Sequence, residues 1–149
     1  MKNIFDAATL EEIKQRIATL RPESKRQWGK MEVAQMLAHC SAALEVAAGK
    51  KRLPRMFIGR ILGPFFKSRF YNDRPFKKNS PTDKSFLVID RRNFEKEKAR
   101  LLDLITQFST GGEAACTRHP HSFFGKLTPR QWGMGMYKHL DHHLKQFAA

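Results

Sequence analysis

The stretch "TPRQWGMGMYKHLDHHLKQF", from Thr128 to Phe147, carries the clearest helix signal in this chain of 149 residues. Thr128 is a good N-cap, Pro129 suits the first helical position, and Gln131 can complete a capping box with Thr128. Apolar residues then recur at helical spacing. The pattern predicts a helix with one face buried in a core.

Two histidines share the buried face of this helix. At about 100° per residue, His139 and His143 fall within the apolar arc, whereas His142 falls on its shoulder. Buried imidazoles need partners, so the pair either bonds to neighbouring groups or a buried water, or chelates one divalent metal. The pattern alone leaves both alternatives open. It is not a zincin helix, because Leu140 occupies the position of the general base.

A metal site of this kind needs a third ligand from elsewhere. The candidates are His39 in an earlier helical segment, and His119 and His121 in the loop "TRHPHSFFGKL". His39 belongs to a polar strip with Glu32 and Gln35. That strip is either the solvent edge of its helix or the lining of a polar pocket, and periodicity alone favours the solvent edge.

Three other segments also repeat apolar residues at helical spacing. They are "DAATLEEIKQRIATL", "KMEVAQMLAHCSAALEVAAGK" and roughly "DRRNFEKEKARLLDLITQF". Four helices with little strand signal predict an all-α bundle in a single domain, residues 1–149. A long basic connector, Lys50–Lys84, separates the second and third helices. We expect it to pack on the bundle as one or two short helices interrupted at Gly63-Pro64.

The charge of the chain indicates anionic partners without choosing among them. Its formal net charge is +14, and the basic residues concentrate in the connector. Three interpretations fit: a helix packed on the bundle with its charges in water, a surface for single-stranded nucleic acid, or an interfacial helix on anionic lipid. A non-catalytic basic binding protein is therefore the alternative function, although no nucleic-acid motif accompanies the charge.

Other features favour a cytoplasmic protein. No apolar run is long enough to span a bilayer, and the N-terminus lacks a signal-peptide pattern. Cys40 and Cys116 are too few for a disulfide framework.

Two blocks of the sequence together resemble a known superfamily. They are "WGKMEVAQMLAHC", Trp28–Cys40, and, about a hundred residues later, "HLDHHLKQF", His139–Phe147. In this order they resemble the DinB/YfiT-like superfamily of metal-binding four-helix bundles, in a branch known only as a domain of unknown function. The resemblance implies an up-down bundle with a metal site formed by His39, His139 and His143. It favours the pocket interpretation of the strip around His39.

The resemblance also implies a class of function. Relatives in the superfamily include thiol-dependent transferases and isomerases, so we expect a metal-dependent enzyme acting on a small molecule, either a thiol-dependent transferase or a hydrolase. A low-molecular-weight thiol is the expected partner, a homodimer would fit, and nucleic acid is not excluded. Imidazole ligands suit zinc or nickel first, and iron is also compatible. Glu32, Gln35, His142 and Gln146 are the candidates for lining the pocket or orienting the ligands.

Overall fold

The computed structural model describes residues 1–149 and is entirely helical, as the sequence predicts. It contains six α-helices and two short 3-10 helices. The α-helices are α1 Ala7–Thr19, α2 Val33–Ala47, α3 Phe57–Phe66, α4 Ser68–Tyr71, α5 Phe94–Gly111 and α6 Pro129–Gln146. The 3-10 helices are Lys84–Phe86 and Gly112–Ala115.

The four long helices α1, α2, α5 and α6 pack around one hydrophobic core. They correspond to the four predicted segments, with ends that differ by a few residues. Helix α2 is central, since it packs on both α5 and α6 and most of its residues are buried. None of the helices combines the length and the apolar character that a membrane span requires.

Helix α6 begins as its sequence predicts. The hydroxyl of Thr128 accepts a hydrogen bond from the Gln131 backbone N–H at 3.2 Å, and the Gln131 side chain accepts one from the Thr128 N–H at 3.0 Å. Pro129 occupies the first helical position. Trp132, 1% exposed, lies on the core-facing side. The capping box and the apolar face together set which way the histidines of α6 point.

The connector contains α3 and α4, but the predicted break at Gly63-Pro64 is wrong. Pro64 lies inside α3, which continues to Phe66. The physical reason is tertiary packing: Gly59 and Gly63 lie one turn apart and face the backbone around Phe123 so closely that a Cβ at Gly59 would come within 2.7 Å of it. That contact holds the segment helical, although Pro64 cannot donate the usual backbone hydrogen bond.

The orientation of α3 also differs from the simplest expectation for the connector. Its glycine edge faces the protein, whereas its apolar side chains face solvent. The exposed apolar residues are Phe57, Ile58, Ile61, Leu62 and Phe65. The connector therefore packs on the bundle without burying the apolar side of its main helix.

Candidate metal centre

Three imidazole rings from α2 and α6 meet at one point in the structure. His39 comes from α2, and His139 and His143 come from successive turns of α6. The Nε2 atoms of His39 and His139 lie 3.0 Å apart, and one ring nitrogen of each of the three residues lies within 4.8 Å of the other two. His39 and His143 are only 4% and 8% exposed, whereas His139 is partly exposed.

Hydrogen bonds fix which nitrogen carries the proton in two of the three rings. His39 Nδ1 lies 2.9 Å from the backbone carbonyl oxygen of Phe86, so this nitrogen must be the donor. His143 Nδ1 lies 2.8 Å from Oε1 of Gln146, whose own amide nitrogen donates to the Trp28 carbonyl at 2.8 Å. The neutral forms of His39 and His143 therefore present the lone pair of Nε2.

Backbone segments outside both helices complete this arrangement. The 3-10 helix Lys84–Phe86, at the end of the connector, brings the Phe86 carbonyl to His39. The loop before α2 brings Trp28 and Gly29 onto the end of α6. Gly29 has φ of +78°, and a Cβ there would come 2.6 Å from the amide nitrogen of Gln146. A glycine is therefore required at this close approach.

Burial sets the charge of the three rings. Loss of solvation lowers the pKa of His39, lowers the pKa of His143 to about 3, and lowers the pKa of His139 well below its ordinary value. The neighbouring imidazoles add to this effect at His139 and His143, because each disfavours a positive charge on the others. All three rings are thus neutral near pH 7, which is the form that binds a metal.

The fourth histidine of interest, His142, lies beside the cluster but not in it. Its ring packs against Trp28 and Phe76, with centroid distances of 5.5 and 5.9 Å. It also contacts the ring of His143 at a centroid distance of 5.1 Å. His142 therefore lies against His143 but does not belong to the three-ring cluster.

Glu32 and Gln35 have a clear role at the start of α2. They form a reciprocal capping box, in which the Glu32 N–H donates to the Gln35 side chain at 2.9 Å. The Gln35 amide nitrogen also donates to the Asp90 carbonyl at 3.1 Å. These bonds position the helix that carries His39, and neither side chain is hydrogen-bonded to the histidine cluster.

His119 and His121, the other candidates for a third ligand, lie elsewhere. His119 donates through Nε2 to the Leu53 carbonyl at 3.0 Å. His121 accepts from the Phe123 N–H at 3.0 Å and packs on Trp132 with a centroid distance of 5.5 Å. Both rings hold loops in place.

The donor set matches a small group of metals. No carboxylate or thiolate joins the three imidazoles. Zinc–nitrogen bonds of 2.0–2.1 Å place the nitrogens of a tetrahedral site about 3.3 Å apart, so the 3.0 Å separation of His39 and His139 needs only a small adjustment. Ligand nitrogens as much as 4.8 Å apart must move closer when a metal binds. Three histidines in this arrangement can hold a divalent ion, and nickel and iron also accept such ligands.

Comparison with models of known protein families identifies the family of this chain. A family described as "Protein of unknown function (DUF1569)" matches residues 2–149. The chain belongs to the DUF1569 family. No curated protein and no solved structure matches it. Since the description of the DUF1569 family assigns no activity, the role of this member must be argued from its site.

The three-histidine cluster brings together residues that lie far apart in the sequence of this DUF1569 protein. His39 and His139 are separated by 100 positions in the chain, yet their rings touch. The residues missed by sequence reasoning are Phe86 and Trp28, which act through backbone carbonyls. Side-chain patterns carry no signal for such contacts, so only the folded chain reveals them.

Proposed function

We propose that this chain is a DinB-like metalloprotein that binds one divalent metal through His39, His139 and His143, and that it is an enzyme acting on a small molecule. Zinc or nickel is the first choice, and iron also fits. The packing of four long helices around one core supports the DinB-like bundle. The observation that carries the metal site is the convergence of three neutral rings, two of them buried, with a ring nitrogen of each within 4.8 Å of the others.

The main alternative to a metal is a hydrogen bond between two of the rings. His139 Nε2 can donate to His39 Nε2, because the His39 proton is held at Nδ1 by the Phe86 carbonyl. That bond uses the Nε2 atoms of His39 and His139, and it leaves Nε2 of His143 without a hydrogen bond in the protein. A single cation satisfies all three nitrogens together, which favours the metal.

A metal held by three neutral imidazoles retains open positions and lowers the pKa of a water or thiol that reaches it. The residues of the chain provide the rest of the site. His39 and His143 are buried and held by hydrogen bonds, whereas His139 is partly exposed and leaves an approach from solvent. Access at His139 is what a small-molecule substrate would need.

The thiols of the chain itself are poor candidates for the nucleophile. Cys40 is buried, its Sγ donates to Met36, and burial raises its pKa strongly. Burial and the charge of Glu113 raise the pKa of Cys116 to about 12. Neither forms a thiolate near neutral pH. A thiol-dependent transferase would therefore draw its thiol from a small cosubstrate, and a hydrolase would use water.

The metal site is tested by elemental analysis of the purified protein and two variants. The His139→Ala, His143→Ala double variant should lose the bound metal. The control is His142→Ala, which removes an adjacent histidine that is outside the cluster and should retain full metal content. Equal metal content in the double variant and the wild type would disprove the site, and loss in His142→Ala alone would indicate a different ligand set.

The thiol and water alternatives are separated by cobalt substitution. We expect small thiols to produce thiolate-to-cobalt charge-transfer absorption if the protein is a thiol-dependent transferase. The His142→Ala variant should give the same absorption, and the double variant none. A cobalt spectrum that no small thiol alters would reject the transferase and leave the hydrolase.

A further inference from the structure

The most unusual surface feature of the molecule is helix α3. Phe57 and Phe65 are 79% and 80% exposed, and Ile58, Ile61 and Leu62 are between 37% and 54% exposed. At about 100° per residue these five side chains form one continuous arc of about 140°. Single exposed apolar residues are common on soluble proteins, but a contiguous patch of this kind marks an interaction surface.

The outward orientation of this arc is built into the fold. The opposite edge of α3 is made of Gly59 and Gly63, which lie directly on the backbone around Phe123. The guanidinium of Arg55 then donates to the carbonyls of His121 at 2.8 Å, Phe123 at 3.3 Å and Gly59 at 3.4 Å. Rotating α3 to bury its phenylalanines would place bulky side chains where only hydrogen atoms fit. The contacts therefore hold the apolar arc toward solvent.

The charge of α3 and of the sequence that flanks it has a single sign. Residues 46–72 contain no Asp or Glu and seven basic residues, Lys50, Lys51, Arg52, Arg55, Arg60, Lys67 and Arg69. On the helical wheel, Arg60 and Lys67 lie beside one another at one edge, clear of the apolar arc. Both α3 and the residues that flank it thus combine an apolar face with positive charge. Amphipathic helices that lie in the surface of anionic membranes have this combination.

We propose that α3 is a docking helix for an anionic lipid surface. Phe57, Ile61 and Phe65 enter the boundary between headgroups and acyl chains, while Arg60 and Lys67 contact lipid phosphates. Anionic headgroups attract basic segments of this kind, and the rest of the chain adds to the attraction because its net charge is +14. This binding is independent of the histidine cluster and of any metal there.

Two other occupants fit the surface less well. A second copy of the chain, docked symmetrically through α3, would bring the same basic residues of both copies together, and like charges repel. Single-stranded nucleic acid would use aromatic side chains for stacking, yet Ile58, Ile61 and Leu62 are aliphatic. An anionic bilayer complements both the charge and the aliphatic character.

The test is co-sedimentation of the full chain with vesicles of phosphatidylcholine alone, or of phosphatidylcholine mixed with phosphatidylglycerol. The wild type should bind the mixed vesicles and not the neutral ones. Phe57→Ser with Phe65→Ser should weaken binding by roughly tenfold or more, because two exposed aromatic rings no longer enter the bilayer. Arg60→Ser with Lys67→Ser should weaken it by roughly thirtyfold.

The matched control is Leu87→Ser with Ile89→Ser, which removes two exposed apolar side chains outside α3. It should bind like the wild type, as should wild-type protein treated with a chelator. Because the substituted side chains are exposed, apart from the half-buried Lys67, circular dichroism should show unchanged helix content.

Three outcomes would overturn the proposal. The first is wild-type protein that does not sediment with the mixed vesicles, or a control variant that loses as much binding as the phenylalanine variant. The second is a dimer in analytical ultracentrifugation that Phe57→Ser with Phe65→Ser dissociates, because α3 would then join two copies. The third is binding of a single-stranded polynucleotide that requires these phenylalanines while vesicle binding does not.

Discussion

Replacement of Gln146 by leucine tests whether the side chain behind His143 controls the metal site. Gln146 is 3% exposed and makes two hydrogen bonds of 2.8 Å, one to His143 Nδ1 and one to the Trp28 carbonyl. Leucine has similar volume but can make neither bond. The variant leaves a buried N–H of His143 and a carbonyl of Trp28 without partners.

The expected losses follow from those two orphaned groups. Each buried polar group without a partner costs about 1–3 kcal/mol, so the free energy of unfolding of the metal-free protein should fall by about 2–6 kcal/mol. Groups that orient a ligating histidine typically contribute about 10–100-fold to metal affinity. Zinc affinity of Gln146→Leu should fall by a factor in that range, because His143 is no longer held with Nε2 toward the other rings.

Gln146→Glu separates the orienting role from a purely structural one. A glutamate retains an acceptor for His143 Nδ1, but it cannot donate to the Trp28 carbonyl. It should therefore lose stability while its zinc affinity remains within several-fold of the wild type. Urea unfolding in the presence of a chelator measures the stability, and competition with a chromophoric chelator near neutral pH measures the affinity. The reasoning would be refuted if folded Gln146→Leu bound zinc as tightly as the wild type. It would also be refuted if Gln146→Leu and Gln146→Glu lost zinc affinity equally.

Three further predictions concern stability and the loop contacts. Burial lowers the pKa of His121 to about 4 and that of His143 to about 3, so the folded chain binds fewer protons than the unfolded chain below pH 6.5. The free energy of unfolding should consequently fall by about 2 kcal/mol for each of these residues as the pH falls from 7 to 5. Urea denaturation in the presence of a chelator measures this, and an unfolding free energy that stays constant over that range would contradict it. Gly29→Ala should lower the free energy of unfolding by about 1–3 kcal/mol, because residue 29 has φ of +78° and an added Cβ would press on the Gln146 amide. It should also lower zinc affinity. Unchanged thermal stability and affinity would show that the loop adapts. Thr128→Ala should cost about 1 kcal/mol in urea unfolding through loss of the α6 capping box, whereas elemental analysis should find the metal content unchanged.

Local patterns in the sequence were sufficient for the helices and for one side of the site. The start of α6 follows from Thr128, Pro129 and Gln131, because a capping box depends on residues only three positions apart. The inward direction of His139 and His143 follows from the same helix, since side chains one turn apart share a face. The all-helical class follows from the repetition of such patterns along the chain.

The remaining features depend on contacts between distant segments. Periodicity alone favoured a solvent edge for the strip that contains His39, yet the structure places the Nε2 atoms of His39 and His139 3.0 Å apart. The reason is that α2 packs against α6 at His39, whereas Glu32, in the same strip, remains exposed at the start of α2. The continuity of α3 through Pro64 and the outward turn of its phenylalanines depend on how closely its glycines approach the Phe123 backbone. Amino-acid types and spacing determine which segments are helical and which faces can be buried. Which face meets which partner, and which backbone carbonyl orients a histidine, is decided only when the folded chain brings residues about a hundred positions apart into contact.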